Sequence, residues 1–107
     1  MTELNYITQD TFQSEVINST EPVLVDVTAV WCGPCKMLDP IVKQVAQDWQ
    51  GKVKVVKLDA DANPELLMEY GILGIPTLMF FKGGKLQERL TGFLPKDKLV
   101  AKLSPHL

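Results

Sequence analysis

The chain holds two cysteines, Cys32 and Cys35, inside Trp31-Cys32-Gly33-Pro34-Cys35-Lys36. Two thiols three positions apart can be oxidised to a disulfide and reduced again, which is the chemistry of thiol–disulfide exchange. An apolar run, Val23-Leu24-Val25-Asp26-Val27, precedes them. A helical pattern follows, with apolar residues at Met37, Leu38, Ile41, Val42, Val45, Ala46 and Trp49. The local reading is strand, tight turn and helix, with Cys32 in the turn and Cys35 in the first helical turn. A Cys-x-x-Cys beside a βαβ pattern reads as a redox motif. A thiol attacks only as thiolate, and a helix start offers Cys32 unpaired backbone N–H groups and the positive end of the dipole. Pro34 lacks an N–H, but the first turn is where that loss costs least. Cys35, one turn on, lies on the same face, can donate to the Cys32 sulfur and can later attack a mixed disulfide. Cys32 is therefore the expected nucleophile and Cys35 the expected resolving thiol.

Three blander uses of the pair compete. A structural disulfide closing so short a loop gains roughly 2 kcal/mol, against ~3 for a fifteen-residue loop. A zinc site needs about four ligands, and the chain adds only the distant His106 to its two cysteines. Covalent haem attachment needs a histidine directly after the second cysteine, and that residue is Lys36. No metal is expected.

The elements that must position the pair fit a single domain spanning residues 1–107. The composition, 46% apolar and 22% charged, is ordinary for a globular protein. A net charge of −2 gives no electrostatic reason to expect nucleic acid or an anionic membrane as partner. No apolar run is long enough for a transmembrane helix. The first residues have neither the basic region nor the apolar core of a secretory signal, and two close cysteines fit a reducing compartment.

Residues 4–7 read as a short strand. Asp10 and Gln13 are spaced like a capping box opening a helix with Phe12, Val16 and Ile17 buried. Residues 23–27 read as a strand covered on both faces. A long helix spans about 34–49, with a kink expected at Pro40. Residues 53–58 form a third strand, and Asn63-Pro64 should cap and start a helix that carries Leu66, Leu67 and Tyr70 and stops at Gly71. Residues 77–81 form a fourth strand, Gly83-Gly84 a hairpin turn, and 85–91 an antiparallel return. Pro95 opens a last helix with Leu99, Val100 and Leu103 inward. The order β-α-β-α-β-α-β-β-α implies an α/β fold with a mixed sheet and helices on both faces.

Asp26 is the odd residue in its strand. A buried carboxylate is costly unless paired or protonated, and burial raises its pKa. Residue types alone leave two readings open, a functional acid or a strand-end Asp bonded to a nearby loop. Lys57 interrupts the third strand in the same way, with a snorkelling lysine as the bland reading. For Ile75-Pro76-Thr77, the rarity of cis X–Pro bonds predicts a trans peptide.

On Trp31-Cys32-Gly33-Pro34-Cys35-Lys36 and the order of elements, the chain resembles the thioredoxin family over essentially its whole length. The resemblance implies a central five-stranded mixed sheet flanked by four helices and a protein disulfide reductase working through Cys32 and Cys35. It implies a proton-transfer role for Asp26, a lysine at Lys57 approaching that aspartate, and a cis Pro76 packed against the pair. Ile75 would then have its backbone free to pair with an extended substrate, and Gly92 would keep the groove shallow. Trp31, Gly33, Pro34, Ile75, Pro76, Gly92 and Phe93 would form an apolar apron for docking. No cofactor is implied. The implied partners are disulfide-containing proteins and a thioredoxin reductase, dependent on NADPH or ferredoxin. The expected state is a monomer in the cytoplasm, with an organellar stroma or matrix open for a processed form.

The match fails at Val27-Thr28-Ala29, where the family usually has Phe-Trp-Ala, and at Phe93, bulkier than the usual residue. Thr28 loses the contact area of an indole and brings a hydroxyl that needs a partner. These departures are expected to alter redox tuning and partner choice. A disulfide isomerase or oxidase on the same fold, and a binding subunit whose thiols are idle, are the alternative functions. Gly-Pro between the cysteines resembles the reductase pattern.

Overall fold

Residues 3–107 are described in a computed structural model. The elements are β1 (Asn5–Ile7), a π-helical segment (Gln13–Ile17), β2 (Val23–Thr28), α1 (Gly33–Asp48), β3 (Lys54–Asp59), α2 (Pro64–Glu69), β4 (Thr77–Lys82), β5 (Lys85–Thr91) and α3 (Lys96–Leu103), followed by a 3₁₀ turn at Ser104–His106. The strands form one sheet in the order β1-β3-β2-β4-β5. β3 pairs in parallel with β1 and β2, while β4 pairs antiparallel with β2 and β5. The expected α/β class, five-stranded mixed sheet and four helices are all present, the π-helical segment being the first helix.

The alternation of β2 assigns its two faces. Val23, Val25 and Val27 join Phe12, Val16, Leu66, Met79 and Phe81 in one core cluster, under the π-helical segment and α2. Leu24 joins Leu38, Val42, Val45, Leu78, Phe80, Leu99 and Leu103 in the other, under α1 and α3. Period 2 in the strand therefore puts Asp26 on the α1 face. The α1 stripe is Cys35, Leu38, Val42, Val45 and Ala46, spaced for one helix face. Burying that stripe fixes the helix rotation, and with it the direction in which Cys35 points. The helix continues through Pro40.

Two helix starts differ from expectation. Asp10 and Gln13 form no capping box: the Thr8 N–H donates to Thr11 Oγ1 at 3.0 Å, and Gln13 Nε2 donates to Asn18 Oδ1 at 3.2 Å. In this wider helix the Asn18 N–H reaches Gln13 O, so the Gln13 side chain follows the chain forward instead of turning back. Asn63 precedes α2 but does not cap it. Its buried amide accepts from the Gln9 N–H at 2.8 Å and donates to Asp59 O at 2.8 Å. Gln9 Oε1 instead accepts from the Leu66 N–H at 3.4 Å. Tying two loops together satisfies more buried polar groups than capping would, so the cap comes from a residue far away in sequence.

The β4–β5 hairpin turns at Gly83 and Gly84, both with positive φ (61° and 78°), as a two-residue turn of this hand requires. The two glycines differ in surroundings. A Cβ on Gly84 would lie 2.7 Å from the Ile17 carbonyl oxygen, whereas one on Gly83 meets nothing. Gly83→Ala should cost about 1 kcal/mol from the left-handed backbone alone, and Gly84→Ala roughly 2 kcal/mol more because backbone must shift. Urea denaturation of both variants checks this. Equal losses would mean that the hairpin does not press on the π-helical segment.

Candidate active site

Cys32 and Cys35 are joined as a disulfide, with Cα atoms 5.2 Å apart. Cys32 is the N-cap of α1, in extended conformation, and its sulfur accepts a hydrogen bond from the Cys35 backbone N–H at 3.2 Å. One of the unpaired donors of the helix start thus points at the Cys32 sulfur, where thiolate charge would develop. The sequence suggested a side-chain donor; in this oxidised state the donor is backbone. Both cysteines are 4% exposed, so accessibility does not distinguish them, whereas position at the helix start does. They form a small buried cluster with Ala29, against which Ile75 packs.

The Ile75-Pro76 peptide is cis, as the family resemblance implied and the base rate of X–Pro bonds did not. The Ile75 carbonyl oxygen lies 3.9 Å from the Cys32 sulfur. Among the described residues, neither backbone polar group of Ile75 is taken up by another backbone group. Pro76 O accepts from the Gly92 N–H at 2.8 Å. Gly92 has φ +91°, and a Cβ there would touch nothing; the requirement for glycine is conformational, not close approach within the chain.

Trp31 is 66% exposed and Phe93 39%. The Trp31 indole N–H donates to Asp61 Oδ2 at 2.7 Å. Trp31 and Ile75 line a groove of about 210 Å³ with Ala60, Asp61, Leu67 and Leu73. Asp61 and the fully exposed Leu73 belong to this surface, and nothing in the sequence pattern marked them.

On the other side of the pair, Cys35 lines a cleft of about 290 Å³ with Tyr6, Thr28, Val30, Asp39, Lys36 and Lys57. Strand register explains part of this gathering. Tyr6, Lys57, Asp26, Leu78 and Leu90 form one row across all five strands. Lys57 Nζ sits 5.3 Å from the Tyr6 ring centroid and pairs with Asp39 Oδ1 at 2.5 Å, while Lys43 holds Asp39 Oδ2 at 3.1 Å. Asp39 was missed, although its i, i+4 spacing to both Cys35 and Lys43 was legible.

Asp26 is 2% exposed, and its Oδ1 has no hydrogen-bond partner. Burial pushes its pKa from 3.8 up to about 7; Lys57 opposes the rise and Asp39 adds to it. Burial also works against ionised Asp39, but hydrogen bonds from Lys57 and Lys43 outweigh it and leave that pKa lowered. For Lys57, burial disfavours the ammonium, and the Asp39 carboxylate reverses this and raises its pKa. Lys57 is thus beside Asp26 in register, but its ion pair is with α1.

Comparison with known proteins agrees with this geometry. A family model described as thioredoxin matches residues 3–105. The chain is 50% identical to thioredoxin 1 of a Nostoc species over 94% of each chain. It is 46% identical to a Synechocystis thioredoxin over 94% of each, and 43% identical to that of Pyropia yezoensis over 97% of each.

The raised Asp26 pKa has a consequence for stability. Between pH 4 and 7 the unfolded chain binds fewer protons at this site than the native one, so stability falls as pH rises. The full cost, about 4 kcal/mol, is reached above pH 7. Asp26→Asn should therefore gain stability over the parent progressively from pH 4 to 8. Urea denaturation at both pH values tests this, and a pH-independent difference would contradict the assigned ionisation.

Proposed function

The chain belongs to the thioredoxin family and is a thiol–disulfide oxidoreductase, and from that premise we propose the following division of roles. Cys32 is the attacking thiolate, Cys35 the resolving thiol and Asp26 the proton acceptor for Cys35. The observation that carries this reading is the Cys35 N–H donating to the Cys32 sulfur at the N-cap of α1. It favours negative charge on Cys32 over Cys35.

Reduction of a target runs in two exchanges. Cys32 thiolate attacks one target sulfur, the target S–S bond breaks, and a target thiolate leaves. Cys35 passes its proton to the Asp26 carboxylate and attacks Cys32 Sγ, releasing the second target thiolate and closing the intramolecular disulfide. A carboxyl with pKa about 7 can both accept and return that proton near neutral pH. Lys57 tunes Asp26 through charge, and the ion pair with Asp39 keeps it in position.

Targets dock as extended segments on the surface formed by Trp31, Gly33, Pro34, Ile75, Pro76, Gly92 and Phe93. The unpaired backbone of Ile75 supports pairing in the manner of an added strand, and exposed Trp31 and Phe93 supply apolar contact. The family's partners are disulfide-containing proteins and a reductase that returns electrons to Cys32 and Cys35. In our reading that reductase draws on NADPH or ferredoxin, and no cofactor takes part in the cycle on this chain. The same reading has residues 1–107 act as one domain, as a monomer, in the cytoplasm. No helix among the described residues is long and apolar enough to cross a membrane.

Cys35→Ser should accumulate target proteins as mixed disulfides on Cys32, resolved by non-reducing electrophoresis and peptide mapping. Accumulation on Cys35 in the reciprocal Cys32→Ser protein, but not in Cys35→Ser, would reverse the two roles.

A further inference from the structure

Asp39 lies one helical turn beyond Cys35 on α1 and takes no proton in the cycle. We propose that Asp39 is a positioning residue for the exchange reaction: it holds the Lys57 ammonium against α1 and so keeps Lys57 from closing a buried ion pair with Asp26. The proposal rests on the reading of Asp26 as the proton acceptor for Cys35.

Two carboxylates compete for Lys57. Asp26 is its register partner on β2, yet Lys57 Nζ meets Asp39 Oδ1 at 2.5 Å, with the Tyr6 ring of β1 on another side. Lys43 occupies the second oxygen of Asp39 at 3.1 Å. Asp26 makes no ion pair among the described residues, and its Oδ1 has no partner. Solvation explains the choice. The Asp39 side chain is 28% exposed and keeps part of its hydration when ionised, whereas pairing at Asp26 would take both charges out of water. The other elements packed on this face bring no charge: β4 contributes Leu78, α3 contributes Leu99 and Leu103, and α1 adds Leu38. The Cys35 sulfur is held in the disulfide. Lys57 and Asp39 are therefore the charges that act on Asp26.

Asp39 works on Asp26 in two ways of the same sign. Its own negative charge favours the protonated carboxyl, and its claim on Lys57 withholds the cation that would favour the carboxylate. A base serves best when its pKa lies near the working pH. An ammonium released toward Asp26 would hold the carboxylate ionised and make it a weaker base. The route of the proton is unchanged, from Cys35 to Asp26; Asp39 sets how firmly Asp26 keeps it.

The test titrates the oxidised full chain by carbon NMR of labelled Asp carboxyl groups, with Asp26→Asn identifying the Asp26 signal. In the disulfide state neither cysteine titrates, so the carboxyl is not coupled to a thiol. Asp39→Asn should lower the Asp26 midpoint by about one pH unit, a tenfold stronger acid, whereas Lys57→Met should raise it. Placed on Lys57→Met, Asp39→Asn should move the midpoint less than half as far, because the lysine it would release is gone. No movement in Asp39→Asn, or equal movement in both backgrounds, overturns the positioning role. The parent chain supplies a check that needs no folded variant: Asp39 itself should titrate below its ordinary value of 3.8, and titration at or above it would mean that the lysines do not hold it. The reaction is read separately. A thiopyridyl-activated peptide loads Cys32 of the reduced chain at low pH, and peptide release after a pH jump reports attack by Cys35. The acid limb of that profile should move down with the Asp26 midpoint in Asp39→Asn. A moved midpoint with an unmoved limb removes Asp26 from the mechanism, and Asp39 with it; an unmoved midpoint removes Asp39 alone.

Discussion

The backbone N–H of Cys35 pointing at the Cys32 sulfur is the contact on which the rest of the site depends. A single hydrogen bond is worth little in net stability. Its value here is directional, because it favours negative charge on one of two equally buried sulfurs. Holding it requires that the first turn of α1 neither rotate nor slide. β2, paired on both edges, fixes where the turn begins. Leu38, Val42 and Val45, packed with Leu24, Leu78 and Phe80, fix the rotation. The hydrophobic core is therefore also the device that aims the redox pair.

The same face of the sheet carries its electrostatic liability. Asp26 lies between Lys57 and Leu78 in the cross-strand row, charged on one side and apolar on the other. A core built for stability would put an aliphatic residue there. The lysine that could neutralise Asp26 is committed to Asp39 on α1, which leaves the Asp26 carboxyl titrating near neutrality. Stability is given up at this carboxyl, and the ion pairs of Lys43 and Lys57 with Asp39 keep the arrangement from collapsing into a simple buried ion pair.

How much of this the sequence reveals follows from the range of each interaction. The cysteine pair, the apolar stripe of α1, the two-faced β2 and the Gly83-Gly84 turn are local patterns, and each is legible. Asp26 stands out because a carboxylate breaks an apolar run. The partner of Lys57 is not legible, since it depends on strand register and helix rotation together. Asn63 illustrates the same limit: its type and position suit a cap, yet a tertiary contact to Gln9 claims the side chain. The hydrogen bond from Trp31 to Asp61 spans 30 positions and leaves no periodic trace. The cis state of Pro76 came only from family resemblance, and the cleft at Thr28 needs the assembled fold to be seen.

A backbone N–H aimed at the Cys32 sulfur and a buried carboxyl that titrates near neutral pH suit a couple that gives electrons to protein disulfides. The most direct test is the reduction potential of the pair, by equilibration against a dithiol buffer of known poise. The account predicts about −270 mV, the known value for thioredoxins and not one derived from this geometry. A potential toward about −180 to −120 mV, the range of isomerases and oxidants, would contradict it.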